Sequence, residues 1–171
     1  DIADNVIYLN TFSKTLSSTV RISYMILPKG LVQPFYARLS FYSCTVSNFE
    51  QYTLARFIAD GKFENHMNRL RNYYRHKRDA LLTALKASPL QPYITISGEN
   101  AGLHFLLTIH TPLSEKEVML RAQAKKIRLL PLSSFYEGTP MHEPNTYVMN
   151  YATIDMTQIN TIVNVLYQCC I

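Results

Sequence analysis

The feature that most constrains the fold is a long stretch of helical periodicity in the first half of the chain. It predicts one helix from about Glu64 to Lys86. Its apolar residues fall near one face, and they are Met67, Leu70, Tyr74, Leu81 and Leu85. A helix of about 22 residues is about 33 Å long, which is enough to link two domains. We therefore expect one structural part before this helix and another after it.

The part before the helix has the pattern of a strand, a polar loop and a second strand. The β-branched run from Val6 to Leu9 predicts a buried strand, and residues 21–27 predict a second strand, with no burial assigned to it. The loop between them is rich in serine and threonine and contains Lys14.

The part after the helix predicts a different arrangement. Strands are expected at residues 93–96 and 103–109, a capped helix at 115–126, strands at 127–132 and 147–151, and a last helix that opens at Asp155. This β-β-α-β-β-α order is typical of an α+β layer with its helices on one face. We expect the chain as a whole to be of the α/β class.

Composition excludes several classes of protein. The chain has 171 residues, of which 47% are hydrophobic and 17% charged, so we expect a packed globular chain. No apolar run approaches the ~20 residues of a membrane span. The three cysteines and five histidines show no metal-ligand spacing, which predicts no metal site and a reduced, cytoplasmic compartment. A net charge of +5 allows phosphate or nucleic-acid binding without requiring it, and the arginines of the long helix suit a solvated face.

The loop that contains Lys14 is the candidate functional site. A lysine just after a strand lies where α/β proteins keep their ligands, and Arg21 begins the next strand seven residues later. A lysine that forms a Schiff base must first lose its proton, which requires partial burial or a nearby cation. A phosphate requires hydroxyl donors and an arginine. A solvated surface loop accounts for the same residue types, so these residues alone leave both interpretations open.

The order of several motifs adds a resemblance. Thr11-Phe12-Ser13-Lys14, with Arg21 and Ile22-Ser23-Tyr24, resembles the lysine motif of fold-type-I pyridoxal-phosphate (PLP) aminotransferases. It is most similar to the aminotransferase-like domain of MocR-type regulators, a branch of the GntR transcription factors. The segments 66–82, 101–104, 130–136 and 150–152 are similar to later parts of the same domain. The resemblance covers essentially the whole chain.

The resemblance implies a fold, a cofactor and site residues. Residues 1–65 would be the last part of the large PLP-binding domain, and residues 66–171 would be the linking helix and the α+β small domain. Lys14 would hold PLP as a Schiff base. Thr11 and Ser13 would lie near the cofactor phosphate, and Arg21 would pair with it.

One position departs from the family pattern. Family enzymes fix the substrate carboxylate with an arginine that our alignment places near Tyr147, where none occurs. Either Arg128 takes this role or the protein does not bind an amino acid in the usual way. Tyr147 is a second candidate for the substrate pocket. A serine at residue 23, where the family commonly has glycine, is a minor departure.

Two functions of different classes follow from the resemblance. In the first, the intact protein would be a transcription regulator that senses PLP or an amino-acid-like effector. In the second, it would be an aminotransferase acting on an amino acid and a 2-oxo acid. Retention of the fold for dimerisation alone is a third alternative. The start at Asp1 leads us to expect a fragment whose other cofactor contacts and DNA-binding winged helix lie upstream. The resemblance also implies a homodimer, with DNA contacted only through that absent domain.

Overall fold

The computed structural model describes residues 4–100, 102–137 and 143–170. Ala101 of the motif at 101–104 and one histidine, His142, lie outside the described residues. The chain divides into two compact units, Asp1–Leu70 and Arg71–Ile171. The division that we predicted after residue 65 concerns family domains and stays a prediction.

The first unit consists of a hairpin and helices. Strands β1 (Tyr8–Thr11) and β2 (Ser23–Ile26) pair antiparallel, with Tyr8 opposite Ile26. Helices α1 (Lys29–Leu39) and α2 (Asn48–Ala59) follow, and α3 (Lys62–Lys86) begins in this unit. The hydroxyl of Ser47 accepts a hydrogen bond from the Glu50 amide and caps α2, a Ser-x-x-Glu arrangement typical of helix starts.

The hairpin corrects one prediction. The run from Val6 to Leu9 does contain a strand, but that strand is exposed rather than buried, and the Leu9 side chain is 69% exposed. The reason is that β1 and β2 form a sheet of only two strands, and no second layer covers it among the described residues. Helices α1 and α2 likewise have no buried residue, and Phe49 of α2 is 80% exposed. Within the described residues, the first unit therefore has almost no core of its own.

The second unit is built on a three-stranded antiparallel sheet. Its strands are β3 (Ile94–Ser97), β4 (His104–Ile109) and β5 (Thr146–Asn150), in the order β3-β4-β5. Helices α4 (Glu115–Ala124) and α5 (Ile159–Cys170) complete the unit together with the rest of α3.

The segment 127–132, which we predicted to be a strand, is not a regular strand. It makes a single hydrogen bond to β5, from the Val148 amide to the Leu130 carbonyl (2.8 Å), and one bridge between Pro131 and Tyr147. Proline has no amide hydrogen to continue the ladder, so the pairing stops there. A short 3₁₀ helix, Leu132–Phe135, follows instead.

The core lies between the sheet and the helices of the second unit. Side chains from α3, β4, β5, α4 and α5 meet there, and the largest fully buried ones are Tyr147, Phe105, Leu81, Leu85, Leu90, Leu107, Ile109 and Leu166. Leu81 and Leu85 belong to the apolar face predicted for the long helix, and their burial confirms it. No helix of the described part of the chain is long and apolar enough to cross a bilayer.

Helix α4 begins with a complete capping box. The Ser114 hydroxyl accepts from the Glu117 amide, and the Glu117 carboxylate accepts from the Ser114 amide at 2.9 Å. The hydrogen bonds from Ser114 hold the pKa of the Glu117 carboxyl below its usual value because they stabilise the ionised form. The local sequence alone therefore fixes where α4 starts.

We expect Leu85→Ala to lower the free energy of unfolding of this unit by about 2–5 kcal/mol, since it leaves a cavity in a fully packed core. Leu120→Ala on α4 is the matched control. Its side chain is 57% exposed, and its effect should stay within about 0.5 kcal/mol. Urea unfolding followed by circular dichroism measures both. Equal losses for the two variants would contradict the packing described here.

Candidate functional site

Lys14 lies in a tight turn inside the loop that joins β1 to β2, which we call the lysine loop. The Phe12 amide donates to the Ile22 carbonyl at 2.9 Å, which closes the base of the loop. The Phe12 carbonyl then accepts from the amides of Thr15 (3.2 Å) and Leu16 (2.8 Å). These bonds fold residues 12–16, which we call the lysine turn, and leave the Lys14 side chain exposed.

The hydroxyls of Thr11 and Ser13 form hydrogen bonds across the loop. The Thr11 hydroxyl donates to the Ile22 carbonyl (3.3 Å) and accepts from the Ser13 amide (3.2 Å). The Ser13 hydroxyl donates to the Val20 carbonyl at 2.6 Å. Thr11 and Ser13, which we predicted to lie near a phosphate, therefore hold the loop in its conformation.

Arg21 lies beside Ser13. Its Nη1 donates to the Ser13 hydroxyl at 3.3 Å, and the side chain is exposed. The remaining N–H groups of the guanidinium can therefore reach a ligand from solvent. The loop thus brings together a cation and a hydroxyl that are eight residues apart in sequence.

This donor set fits a phosphate group. An arginine and hydroxyl donors are the groups that bind phosphate in proteins. The Ser13 hydroxyl can serve by rotating its hydrogen away from the Val20 carbonyl. The hydroxyls of Ser17 and Thr19, 2.8 Å apart and exposed, lie in the same loop. Lys14 has no hydrogen bond or ion pair within residues 4–100, 102–137 and 143–170, so its amine is available to a carbonyl compound.

Helix α3 contributes a residue to this site that we did not predict as part of it. A ring nitrogen of His66, Nε2, lies 3.1 Å from the Thr15 carbonyl oxygen. The Phe63 ring meets the Phe12 ring edge to face, with centroids 5.8 Å apart. Thr15 and His66 are 51 positions apart in the sequence, so no local spacing could have revealed the contact.

Arg128 lies in the second unit. It is exposed and follows α4, just after Lys126, which adopts a left-handed backbone conformation with φ +64°. Arg128 lines a cleft of about 600 Å³ whose other walls include Val148, Ile162 and Asp155. The cleft therefore offers a cation beside apolar surface.

Tyr147 does not lie in a cleft. Its side chain is fully buried in the core, and its hydroxyl donates to the Asn145 side chain at 3.1 Å. Burial raises the pKa of the Tyr147 hydroxyl. The physical reason is register: Tyr147 pairs with Leu107 on the buried face of the sheet. The substrate role that we predicted for Tyr147 has no support in this geometry.

Within the described residues there is no group of three or more histidine, cysteine, aspartate or glutamate side chains that could hold a metal ion.

The lysine loop fits a phosphate group, as the cofactor site of a PLP protein must. The model of the family described as "Aminotransferase class I and II" matches residues 1–166. The chain belongs to this family. Membership implies PLP as the cofactor.

Among curated proteins, the similar relatives include transcription regulators. The chain is 41% identical over 140 residues to the "Uncharacterized HTH-type transcriptional regulator YdeL" of Bacillus subtilis (strain 168), covering 82% of the chain and 30% of the relative. It is 29% identical over 167 residues to the "Probable rhizopine catabolism regulatory protein MocR" of Rhizobium meliloti, covering 97% and 33%. The chain therefore spans about a third of the length of these relatives.

Solved structures agree on the fold. The chain superposes on the kynurenine aminotransferase of Pyrococcus horikoshii with a TM-score of 0.79 and 28% identity, covering 99% of the chain and 41% of that structure. The predicted fold class is confirmed: the chain has the fold of part of a fold-type-I aminotransferase.

We expect Arg21→Ala to weaken PLP binding by the intact protein about 10–100-fold, because a charged hydrogen-bond donor to the phosphate is lost. The matched control is Arg38→Ala, which removes another exposed arginine, from α1 of the same unit. Equilibrium dialysis gives both dissociation constants. A similar loss for the two variants would mean that Arg21 acts only through net charge.

Proposed function

We propose that the intact protein is a MocR-type regulator of the GntR family, in which this aminotransferase-like region binds PLP. Two observations together support this proposal. The chain places Lys14, Ser13 and Arg21 together in one loop, and it is 41% identical to an HTH-type regulator over 82% of its length.

Four residues of the loop would have distinct roles in binding the cofactor. The Lys14 amine would hold the cofactor covalently. Arg21 and the Ser13 hydroxyl would donate to the phosphate, and Thr11 keeps the loop closed behind them. When bound, PLP supplies an electron sink for amino-acid chemistry. Exposure of Lys14 suits this part, because a cofactor must reach the amine.

An amino-acid-like effector is the second ligand of the proposal. Strand β5, Thr146–Asn150, contains no arginine. Arg128 is our candidate for the carboxylate contact, since it lines a cleft with the β5 residue Val148 and with apolar side chains of α5. A guanidinium beside apolar surface matches a carboxylate that carries an apolar side chain.

The remaining features belong to the intact protein. We propose that DNA is contacted by a domain outside this chain, that the protein is a homodimer, and that it acts in the cytoplasm. Support comes from the regulators among the relatives, which are described as HTH-type proteins.

A working aminotransferase is the second candidate function. It is favoured by the likeness to enzymes, which include the kynurenine aminotransferase of Pyrococcus horikoshii at 28% identity and a multiple-substrate aminotransferase of Thermococcus profundus at 26%. The absence of an arginine from β5 weighs against it.

We expect Lys14→Ala to abolish the absorbance band of lysine-bound PLP when the full-length protein is titrated with the cofactor. Lys29→Ala is the matched control, since Lys29 is an exposed lysine of the same unit and should leave the band unchanged. If wild type shows no band at PLP excess, this region does not bind PLP through Lys14. If the band forms, turnover of amino acids with a 2-oxo acid separates the enzyme from the regulator.

We expect Arg128→Ala to weaken amino-acid binding to the PLP-loaded full-length protein about 10-fold or more, because the carboxylate loses a charged partner. The measurement is the change in cofactor absorbance during titration with each standard amino acid. Arg121→Ala, on α4 of the same unit, is the control and should have no effect. Unchanged binding in Arg128→Ala would remove Arg128 from the site.

A further inference from the structure

The lysine turn is held from outside by helix α3. Phe63 and His66 are three residues apart and therefore lie on the same face of the helix. They contact Phe12 and Thr15, which are also three residues apart and flank Lys14. The first turns of α3 thus hold both sides of the turn that contains the lysine.

The contact made by His66 is a hydrogen bond with a fixed direction. A backbone carbonyl oxygen can only accept, so the His66 ring donates and the proton is on Nε2. The ring is half-buried, which shields the bond from competing water. Thr15 is thereby restrained at both its polar backbone groups, since its amide donates to Phe12 and its carbonyl accepts from His66.

This restraint matters most for Lys14. The lysine side chain has no polar partner among the described residues, so only the backbone of the turn determines where its stem begins. Thr11 and Ser13 fix the chain before Lys14 through bonds to Ile22 and Val20. After Lys14, the restraints are the Phe12 carbonyl and His66. Loss of the His66 bond would free the carbonyl next to the lysine.

We propose that His66 is a positioning residue for Lys14, acting through its hydrogen bond to the Thr15 carbonyl. The inference rests on the proposed function of Lys14 as the residue that binds PLP. His66 itself does not touch the cofactor in this proposal. It reduces the conformational freedom that the lysine turn must lose when Lys14 becomes linked to a ligand.

Two substitutions separate the hydrogen bond from ring packing. His66→Phe keeps a ring of similar shape and removes the donor. His66→Gln keeps an N–H donor at a similar reach and should rescue the effect. His76→Phe is the matched control, since His76 is an exposed histidine of the same helix.

The first readout is amide hydrogen exchange of the full-length protein without cofactor. We expect the Thr15 and Leu16 amides to exchange about 3–10-fold faster in His66→Phe, with rates near wild type in His66→Gln and His76→Phe. Unchanged exchange in His66→Phe would overturn the proposal whether or not the protein binds PLP.

The second readout is the PLP dissociation constant from cofactor absorbance. We expect about 3–10-fold weaker binding in His66→Phe and recovery in His66→Gln. Faster exchange without weaker PLP binding would also overturn the proposal, because His66 would then hold the turn without positioning the lysine. A wild-type protein that forms no band would instead refute the proposed function of Lys14, while the exchange data would still decide whether His66 holds the turn.

Discussion

Burial of one face of a three-stranded sheet is the constraint on which the second unit of this molecule depends. The side chains of Phe105, Leu107 and Tyr147 are buried on that face, and residues of α3, α4 and α5 pack against them. Burial of side chains this large contributes about 1.5–3 kcal/mol each, which is more than any exposed ion pair of the chain can supply. Helix capping and strand pairing fix the geometry of the second unit, and apolar burial stabilises it.

The candidate site is stabilised by a different kind of interaction. The first unit has few buried side chains, and hydrogen bonds hold the lysine loop in shape. Thr11 and Ser13 act as structural groups there and as candidate phosphate ligands at the same time. A loop held by polar groups can exchange some of those bonds for bonds to a ligand at small net cost, because each donor keeps a partner. This property suits a site that binds an anion.

Sequence reasoning succeeded where the signal was local. The periodicity of α3 and the cap of the helix expected at 115–126 depend on residues within one or two helical turns, and the structure confirms them. It was wrong about burial of β1 and about a regular strand at 127–132. Burial of a strand depends on which layer lies over it, and pairing depends on a partner strand that comes later in the chain. Neither property is encoded within the segment itself.

The sequence by itself determined the family, the lysine loop and its neighbouring arginine, because each is carried by contiguous residues at fixed spacing. Only the tertiary structure decided that Tyr147 faces the core, since the register of β5 against β4 sets which side chains point inward. Only the tertiary structure brought His66 to the lysine turn. That contact joins residues 51 positions apart, and it exists because the chain folds back on itself rather than because of any local pattern.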